Sequence, residues 1–326
     1  MISLVQNEMI KLVRKKRLLI VTLIMGVLIS MFTYAQLRET QRLQEKLGTT
    51  DWRNTLQQEI IDTQNRLSGS QISDDWRKQL EIRVAQQQYY LDNDINHSEP
   101  GAPTFVRGFI ENAIQLLLPL MIMIIAADLV SSEYSLGSIK VLLTRPVKRW
   151  KILLSKYITL VMSVSFLILM FGVLSYLISG IVFGFKGWTA PILTGFSVQG
   201  NDLNTADVHL ISQWKYILME FGLAWFVSLV VGTLAFMLSV LIKSTAAGMG
   251  VMLACLIAGT ILSSMVSSWH SAKYLFMVNL NLTSYLQGTV PPTEGMTLGF
   301  SLLVLTIWGL AGLLVSFLVF TKKDVY

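Results

Sequence analysis

Six apolar runs, each long enough to cross a lipid bilayer, constrain this 326-residue chain more than any other feature of its sequence. A membrane-spanning helix needs about 20 predominantly apolar residues, because the hydrocarbon core is about 30 Å thick. Only 14% of the residues are charged, against about 25% in a typical soluble domain. The sequence therefore predicts an all-α integral membrane protein with six transmembrane helices. The predicted spans cover about residues 18–36, 109–128, 157–183, 214–242, 245–266 and 297–320.

The first apolar run, Leu18–Ala35, follows a basic flank, which is also a feature of secretory signal peptides. It exceeds the roughly 7–15 apolar residues of a signal-peptide core, so we predict a retained span. Residues 1–17 have apolar side chains at helical spacing, which predicts a cytoplasmic amphipathic helix at the membrane surface. A basic flank that only anchors the span is an equally consistent interpretation. The predicted apolar face holds Ile2, Val5, Met9, Leu12 and Val13, and the polar face holds Gln6, Asn7, Lys11 and Arg14.

The long polar segment at residues 37–107 predicts an extracellular helical hairpin. The pattern D-W-R-x2-L-x3-[IV] occurs twice, starting at Asp51 and at Asp75, with Ser-Gly-Ser at 68–70 between the two copies. Two amphipathic stripes joined by such a turn favour a pair of antiparallel helices. A structural cap and a ligand-capturing lid are both consistent with this pattern. The predicted stripes are Trp52, Leu56 and Ile60 in the first helix and Trp76, Leu80 and Val84 in the second.

Residues 108–326 are predicted to form a membrane domain that contains the other five spans. Pro119 predicts a kink in the second span, because proline cannot donate a helical hydrogen bond. Fourteen Lys and Arg residues lie in the short segments predicted to be cytoplasmic, against two in the two short outer loops, 184–213 and 267–296. Since Lys and Arg in short loops are retained in the cytoplasm, this asymmetry predicts that both termini are cytoplasmic.

The loop at residues 131–156 carries six basic residues against one acidic residue, Glu133. Ile139, Leu142 and Leu143 recur at helical spacing and predict a short amphipathic helix, which Pro146 should end. A basic loop between two spans belongs on the cytoplasmic side. An ordinary orienting loop and a docking element for a cytoplasmic partner are both consistent with these features.

Two stretches of the chain resemble ABC-2-type ABC transporter permeases. The order E-x3-G-x4-LL-x2-P-x9-K resembles the region after the second span of that family, which includes the helix that rests on the ATPase. The string N-E-x2-K is similar to the N-terminal interface helix of the family. The first pattern consists here of Glu133, Gly137, Leu142, Leu143, Pro146 and Lys156, and the second of Asn7, Glu8 and Lys11.

The resemblance implies a permease subunit of an ATP-driven ABC exporter in a bacterial cell membrane. A separate ABC ATPase subunit, holding ATP and Mg²⁺, would dock on the loop, while this chain binds no cofactor. A second permease subunit, identical or paralogous, would complete the substrate path. The connector at 267–296 would hold a pair of short re-entrant helices. Coupling to the ATPase is assigned to Glu133, Gly137, Ile139, Leu142, Leu143, Arg145, Pro146, Arg149 and Lys156.

Several chemistries are disfavoured by the sequence. The phosphate-binding pattern G-x4-G-K-[ST] does not occur in it, so we predict that the chain is not itself an ATPase. The three histidines lie in separate segments, which argues against a metal site. The G-x-S-x-G pattern of serine hydrolases is also missing. The basic residues cluster beside apolar spans, so the net charge of +6 indicates contact with membrane lipids rather than with nucleic acid.

Glu220 is the ionisable residue that stands out within a predicted span. An intramembrane carboxylate is costly and marks a functional site by default, so we predict that Glu220 lines the substrate path. A structural pair with Lys215, or with a polar group on a neighbouring helix, is the competing interpretation. Asp128 and Glu133 are predicted to lie at the inner membrane boundary, where water solvates them. The alternative function for the chain is a non-transporting membrane sensor or scaffold whose outer hairpin binds a ligand.

Overall fold

A computed structural model describes residues 1–48, 51–69, 72–96, 99–135, 137, 147–199, 202–265, 269–293 and 295–322 of the chain. Within these residues, six helices are long and apolar enough to cross a membrane. The chain is therefore a multi-pass membrane protein built mainly from α-helices, as the sequence predicts. The six spanning segments are Arg17–Lys46, Leu117–Ser135, Arg149–Phe183, Gln213–Leu241, Thr245–Ser263 and Leu298–Lys322.

The helices follow one another along the chain with a strand-containing segment between α8 and α9. Helix α9 lies at the centre, because it contacts α5, α6, α7, α8, α10 and α12. The helices are α1 (Ile2–Arg14), α2 (Arg17–Leu47), α3 (Trp52–Leu67), α4 (Asp74–Asp92), α5 (Ala102–Ala113), α6 (Leu117–Ala126), α7 (Asp128–Ser135), α8 (Arg149–Phe183), α9 (Gln213–Leu241), α10 (Thr245–Met265), α11 (Thr283–Gln287) and α12 (Leu298–Lys322).

Helix α2 continues well past the predicted end of the first span. Residues 37–46 are mostly Leu, Arg, Glu, Gln and Lys, which are strong helix formers. The helix ends at Gly48, whose φ of 61° is the left-handed conformation common at helix C-termini. In the membrane part, α2 packs against α8 and buries Val21, Met25 and Ile29. The first span is thus part of the packed helical core.

Helices α3 and α4 pack against each other within the segment predicted to form a hairpin. Asp51 caps α3 by accepting a hydrogen bond from the Arg53 N–H, and Ser73 caps α4 in the same way through Trp76. Leu56 and Ile60 are buried on α3, as their spacing predicts.

The predicted stripe on α4 is wrong in part. Leu80 is buried, but Trp76 is 51% exposed, and Ile82 is buried on a different side of the helix. Helix α4 contacts a strand of the α8–α9 connection as well as α3, so it buries side chains in two directions. A single apolar stripe is expected for a helix that packs against one neighbour. The predicted stripe therefore did not include the residues through which α4 contacts the strand.

The second span is interrupted rather than kinked at Pro119. Helix α5 ends at Ala113, and α6 begins at Leu117. Pro119 cannot donate to the carbonyl of Gln115, and its ring crowds that carbonyl, so the break falls in the turn before the proline. Helix α5 also begins at Ala102, inside the segment assigned to the hairpin, because its apolar side is fully buried against α8 and α9.

The connection at Gly184–Gln213, predicted only as an outer loop, contains four short strands. Strand β1 (Pro191–Thr194) pairs antiparallel with β4 (His209–Ser212). Strand β2 (Ser197–Gln199) pairs antiparallel with β3 (Asp202–Asn204). These strands depart from an all-α fold, but each has only three or four residues, too few for a clear alternating pattern.

The connector between α10 and α12 also has local structure. It contains two 3₁₀ turns, His270–Tyr274 and Phe276–Asn279, followed by α11. The second 3₁₀ turn packs on α10 and α12. The described part of this connector therefore lies against the helical core, as its apolar residues indicate.

Candidate functional site

The N-terminal helix α1 lies against α8 and α2 and presents an acidic side chain to the protein interior. Glu8 and Leu12 are buried, whereas Ile2 is 75% exposed and Val13 is 61% exposed. Of the predicted apolar face, Leu12 is thus buried in the protein, whereas Ile2 and Val13 are exposed, as a face that contacts the membrane requires. The inward side of α1 is selected by ion pairs, and the apolar residues remain free to contact lipid.

Lys156, near the start of α8, is the centre of a buried ion-pair network. Its side chain is 0% exposed. The ammonium donates to Glu8 Oε2 at 2.6 Å, contacts Glu133 Oε1 at 2.8 Å and donates to the Leu129 carbonyl at 3.0 Å. A lysine ammonium has three donors. All three are used, so the charge is buried without an unsatisfied hydrogen.

Lys11 closes the network into a ring. Its ammonium donates to Glu8 Oε1 at 2.8 Å and to Glu133 Oε1 at 3.0 Å. Two lysines therefore alternate with two glutamates, and the ring joins α1, α7 and α8. We call Glu8, Lys11, Glu133 and Lys156 the ion-pair ring.

The pKa values of the two α1 residues follow from this arrangement. Burial raises the pKa of the Glu8 carboxyl, but Lys156 and Lys11 outweigh burial and leave that pKa below its ordinary value. Burial lowers the pKa of the Lys11 ammonium, but Glu8 and Glu133 outweigh it and leave that pKa above its ordinary value. Each partner thus favours the charged form of the other.

A second cluster of charges surrounds Asp128 at the start of α7. Lys15 contacts Asp128 Oδ2 at 3.0 Å, and Arg17 contacts Oδ1 at 3.0 Å. Lys15 also donates to the Ser132 hydroxyl at 2.9 Å. Lys15 and Arg17 flank Lys16, whose left-handed φ of 54° separates α1 from α2. The junction between these two helices is therefore tied to α7.

Ser239 of α9 supplies the hydrogen bonds that are missing where α6 and α7 meet. Its hydroxyl donates to the Ala127 carbonyl at 2.7 Å and accepts from the N–H groups of Val130 and Ser131 at 3.1 and 2.9 Å. The first N–H groups of a helix have no partner within that helix, and such groups are costly inside a membrane. The break at Ala127 is therefore held by the central helix.

Helix α7 is the element that these contacts share. Ser131 adds a hydrogen bond of 2.6 Å to Thr245 at the start of α10. Gly137 then follows α7 with a φ of 68°, a glycine conformation typical of a helix end. Contacts from α1, α8, α9 and α10 thus converge on α7 immediately before residues 138–146.

The structure places the residues predicted for ATPase coupling, and those predicted for the N-terminal interface helix, in different environments. Glu8, Lys11, Glu133 and Lys156 come together in the ion-pair ring. Asn7 is exposed. Arg149 begins α8 and lies close enough to Tyr134 to interact electrostatically. The predictions for Ile139, Leu142, Leu143, Arg145 and Pro146 lie outside the described residues.

Sequence reasoning missed the role of Asp128 and placed Glu133 in water. Both carboxylates are buried, at 5% and 7% exposure. The expectation of solvation was wrong because α1 covers this end of the second span. The basic residues at 14–17 and the acidic residues at the end of the second span could have indicated these ion pairs. The sequence does not show, however, that α1 folds over that end of the span.

Glu220 lies at the other end of the molecule, in α9, and is 0% exposed. Of the two partners in the competing prediction, Lys215 is wrong, because it is exposed and its ammonium lies over the Trp214 ring. The other, a polar group on a neighbouring helix, is present as Glu111. Glu220 instead interacts electrostatically with Glu111 and Arg107 of α5. Apart from the Glu111 carboxyl group, no hydrogen-bond donor among the described residues reaches either of its carboxyl oxygens.

A cavity of about 570 Å³ lies beside Glu111, between α4, α5, β1 and the connector that precedes α12. We call it the hairpin-side cavity, because α4 forms one of its walls. It is separate from the ion-pair ring, and no residue of the ring lines it.

The fold and the ion-pair ring define a class: a helical multi-pass membrane protein whose N-terminal helix is locked by charge to its second and third spans. The chain belongs to the family described as "Protein of unknown function (DUF2705)", whose sequence model matches residues 79–326.

Two relatives come from Bacillus subtilis (strain 168). The chain is 27% identical to "Uncharacterized protein YhcI" over 329 aligned residues, which cover 100% of this chain and 99% of that protein. It is 28% identical to "Uncharacterized membrane protein YdbK" over 215 residues, which cover 65% of this chain and 80% of that protein. The second name agrees with the membrane assignment made here from the six apolar helices.

Proposed function

We propose that this chain is the permease subunit of an ATP-driven ABC exporter and that the ion-pair ring couples it to a separate ATPase subunit. The observation that carries the proposal is that Glu8, Lys11, Glu133 and Lys156 meet in one ring, in which all but Lys11 are buried. These residues belong to the two stretches that resemble ABC-2-type permeases. A shared structural task for both stretches supports that resemblance.

The ring gives the proposed coupling a physical basis. Removing one partner of a buried ion pair costs about 3–5 kcal/mol, because a charge is left without compensation. At ordinary temperatures α1, α7 and the start of α8 therefore move together. A push on the loop at 131–156 would be transmitted to α1 through Glu133 and to the central helix through Ser239.

In the proposed mechanism, ATP and Mg²⁺ bind the partner ATPase, and its closure displaces α7 and α1. Spans 1, 2 and 5 then rock and open the substrate path. Such a change requires that the two states differ in their contacts to the ATPase. A second permease subunit, identical or paralogous, would complete the path. Helix α10 supports a helix–helix contact in the membrane, because it exposes small residues, Ala246, Gly250 and Ala254.

Co-purification tests the proposal. The full chain, tagged and extracted from the membranes of its own host in mild detergent, should bring with it a protein that carries G-x4-G-K-[ST] and hydrolyses ATP. An Arg149→Glu variant should reduce the amount of this partner, while Lys186→Glu, an exposed change at the hairpin end, should not. A stable preparation that contains no ATPase at any stage would contradict the proposal.

The proposed orientation places the ion-pair ring at the cytoplasmic side of a bacterial cell membrane, with both termini cytoplasmic. In a Cys255→Ser background, Lys186→Cys should react with a membrane-impermeant maleimide in intact cells. Asn7→Cys, which is also at an exposed position, should react only after the cells are opened. Labelling of Asn7→Cys in intact cells would contradict this orientation.

One observation favours the alternative of a non-transporting sensor or scaffold. The hairpin-side cavity is lined by α4, which is the element that such a protein would use to capture a ligand. The two functions differ in their partners, because a sensor or scaffold of this kind requires no ATPase. The co-purification experiment therefore separates them.

A further inference from the structure

We propose that a groove between α1, α2 and α8 binds one anionic phospholipid, with an acyl chain along the groove and the headgroup at the basic end of α1. We call it the α2 groove. It has a volume of about 1260 Å³ and shares no lining residue with the hairpin-side cavity. No residue of the ion-pair ring lines it either, so the inference does not depend on the coupling proposal.

The α2 groove follows the first span through most of the membrane. Its lining residues on α2 extend from Leu18 to Tyr34, a rise of about 24 Å at 1.5 Å per residue. Those on α8 extend from Met162 to Ile178, over the same length. One leaflet of the hydrocarbon core is about 15 Å thick, half of about 30 Å. The groove is therefore long enough to hold an acyl chain across a whole leaflet.

The α2 groove is open to the membrane and nearly free of polar groups. Leu19 and Met31 line it and are 61% and 63% exposed. The hydroxyls of Thr22 and Ser30 also line it, but they donate to carbonyls of their own helix at 2.8 Å each. Among the described residues, no charged side chain lines the groove. This lining matches a hydrocarbon chain and not a polar ligand.

Gly26 leaves space at the middle of the groove. A Cβ at this position would meet no atom within 4 Å, although the next turns of α2 bury Met25 and Ile29 on the other side of the helix. Glycine is a poor helix former. It is the residue expected where a ligand lies directly against the backbone.

The end of the groove that α1 forms lies beside two basic side chains. Met9 and Val13 of α1 line this end. Arg14 follows Val13 directly, and Lys16 comes two residues before Leu18, the first residue of α2 that lines the groove. Both basic side chains are exposed. A headgroup at this end is therefore next to two positive charges.

The protein itself does not neutralise these two charges. Lys11, Lys15 and Arg17 form ion pairs with buried carboxylates of α1 and α7. In the described part of the chain, Arg14 and Lys16 form no ion pair. Lys16 has the left-handed φ of 54° that separates the two helices. Both cations therefore remain open to a ligand of opposite charge.

Trp150 places this end of the groove at the membrane interface. It begins α8 together with Arg149 and is 44% exposed, and exposed Trp side chains are typical of the interface. Lys156, less than two turns further along α8, contacts Glu8 of α1. The start of α8 and the basic end of α1 thus belong to the same end of the molecule, at the level where headgroups lie.

The apolar lining and the two cations together select an anionic phospholipid. An acyl chain gains little by moving from bulk lipid into an apolar groove, since lipid tails are as apolar as Leu. The preference therefore comes from the headgroup, and basic sites between membrane helices bind anionic headgroups. A second copy of the chain fits less well. In a twofold contact the same surfaces meet, so Arg14 and Lys16 of the two copies would approach one another.

Native mass spectrometry of the purified full chain in detergent tests the inference with two probes that have the same acyl chains. Phosphatidylglycerol is anionic, and phosphatidylethanolamine is zwitterionic. We expect one phosphatidylglycerol to bind about tenfold more tightly than phosphatidylethanolamine. The preference should weaken as the salt concentration rises. Equal affinities for the two lipids would overturn the inference.

Charge variants locate the headgroup. Arg14→Gln combined with Lys16→Gln should weaken phosphatidylglycerol binding about 25-fold, since each basic side chain near an anionic lipid contributes a factor of about five. Binding of phosphatidylethanolamine should not change. Lys243→Gln combined with Lys322→Gln is the control, because it removes the same charge at exposed positions outside the groove. Equal weakening by the two pairs would refute the site.

A variant that fills the groove tests the position of the acyl chain without destabilising the fold. Gly26→Leu places a side chain in the open space and introduces a stronger helix former. It should abolish the binding of phosphatidylglycerol. Gly222→Leu is the matched control, since a Cβ at this exposed glycine of α9 also meets no atom within 4 Å. Unchanged lipid binding in Gly26→Leu would overturn the inference. So would loss of a dimer with lipid binding retained, which would assign the groove to a second copy of the chain.

Discussion

The Lys156 ammonium of α8 lies 2.6 Å from Glu8 Oε2 of α1, and both side chains are buried. This contact joins residues that are 148 positions apart in the sequence. It fixes the N-terminal helix against the start of the third span. The other members of the ion-pair ring, Lys11 and Glu133, connect the same pair to the second span.

Removal of the Lys156 charge tests the energetic weight of the ring. Lys156→Met keeps most of the side-chain volume but removes the buried one of the two ammonium groups that lie between Glu8 and Glu133. We expect the free energy of unfolding in detergent micelles to fall by about 3–5 kcal/mol, as measured by chemical denaturation. Lys215→Met, at an exposed position, is the control. An equal loss in the two variants would argue against the ring.

A double-mutant cycle on the same pair isolates the interaction itself. Glu8→Gln combined with Lys156→Met removes both charges, so no uncompensated lysine remains. The double variant should lose less stability than the sum of the single losses, with a coupling free energy of about 0.5–3 kcal/mol. Additive losses would show that Glu8 and Lys156 act independently.

The pH dependence of α1 docking follows from Glu8 and Lys11. The pKa of Glu8 is lowered, so its contribution is complete above the ordinary value of 4.5 and is lost as the pH falls through the lower folded value. The pKa of Lys11 is raised, so its contribution is complete below 10.5 and is lost as the pH rises through the higher folded value.

Thiol labelling in a Cys255→Ser background measures this dependence. Leu12→Cys is buried when α1 is docked, whereas Val13→Cys is exposed, and their ratio of labelling rates cancels the ionisation of the thiol. The ratio should stay low from about pH 4.5 to 10.5 and rise outside that window. Glu8→Gln should abolish the rise on the acidic side; a ratio that is independent of pH would contradict the ring.

Charge reversal at the start of α8 tests the proposed coupling. Arg149→Glu should leave the subunit in the membrane but separate ATP hydrolysis by the partner from transport. Ile139→Pro, which would break the helix predicted in the loop, should have the same effect. Measurements of ATPase activity and of transport in the same vesicles check this, with Lys186→Glu as the control. Full transport by Arg149→Glu would count against the assignment.

Ser239 offers a test at the break between α6 and α7. Ser239→Ala leaves the Ala127 carbonyl and the N–H groups of Val130 and Ser131 without their partner. We expect a loss of about 1–3 kcal/mol in the free energy of unfolding, because these groups are buried. Ser30→Ala is the control, since the exposed Ser30 hydroxyl bonds only within its own helix. A neutral Ser239→Ala would show that the break is held by other contacts.

Prediction from the sequence was most successful for the last three spans. Span four was predicted at 214–242, and α9 covers Gln213–Leu241. The limits of a span depend on the length of an apolar run, which is a local property. Prediction was less successful for the second span: the turn before Pro119 divides the predicted apolar run between α5 and α6, and α7 continues the span beyond the break at Ala127. The hydrogen bonds at the second break come from Ser239, which belongs to another helix. The local sequence around Ala127 therefore does not predict this break.

For the candidate site as well, the sequence predicted some features and missed others. Glu8, Lys11, Glu133 and Lys156 were singled out from sequence patterns, but the patterns assigned them to two separate elements and did not pair them. Asp128 was predicted to be solvated, and the predicted partner of Glu220 was Lys215 or a polar group on a neighbouring helix. The structure buries Asp128 between Lys15 and Arg17, and it places Glu220 beside Glu111.

The sequence by itself determined that this protein crosses a membrane several times as helices, because the free energy of placing an apolar segment in lipid depends on that segment alone. Only the tertiary structure decided which charges meet. The energy of an ion pair depends on the distance and the burial of two groups, and the packing of α1 against α7 and α8 sets both quantities. The hairpin-side cavity likewise exists only where α4, α5, β1 and the connector meet.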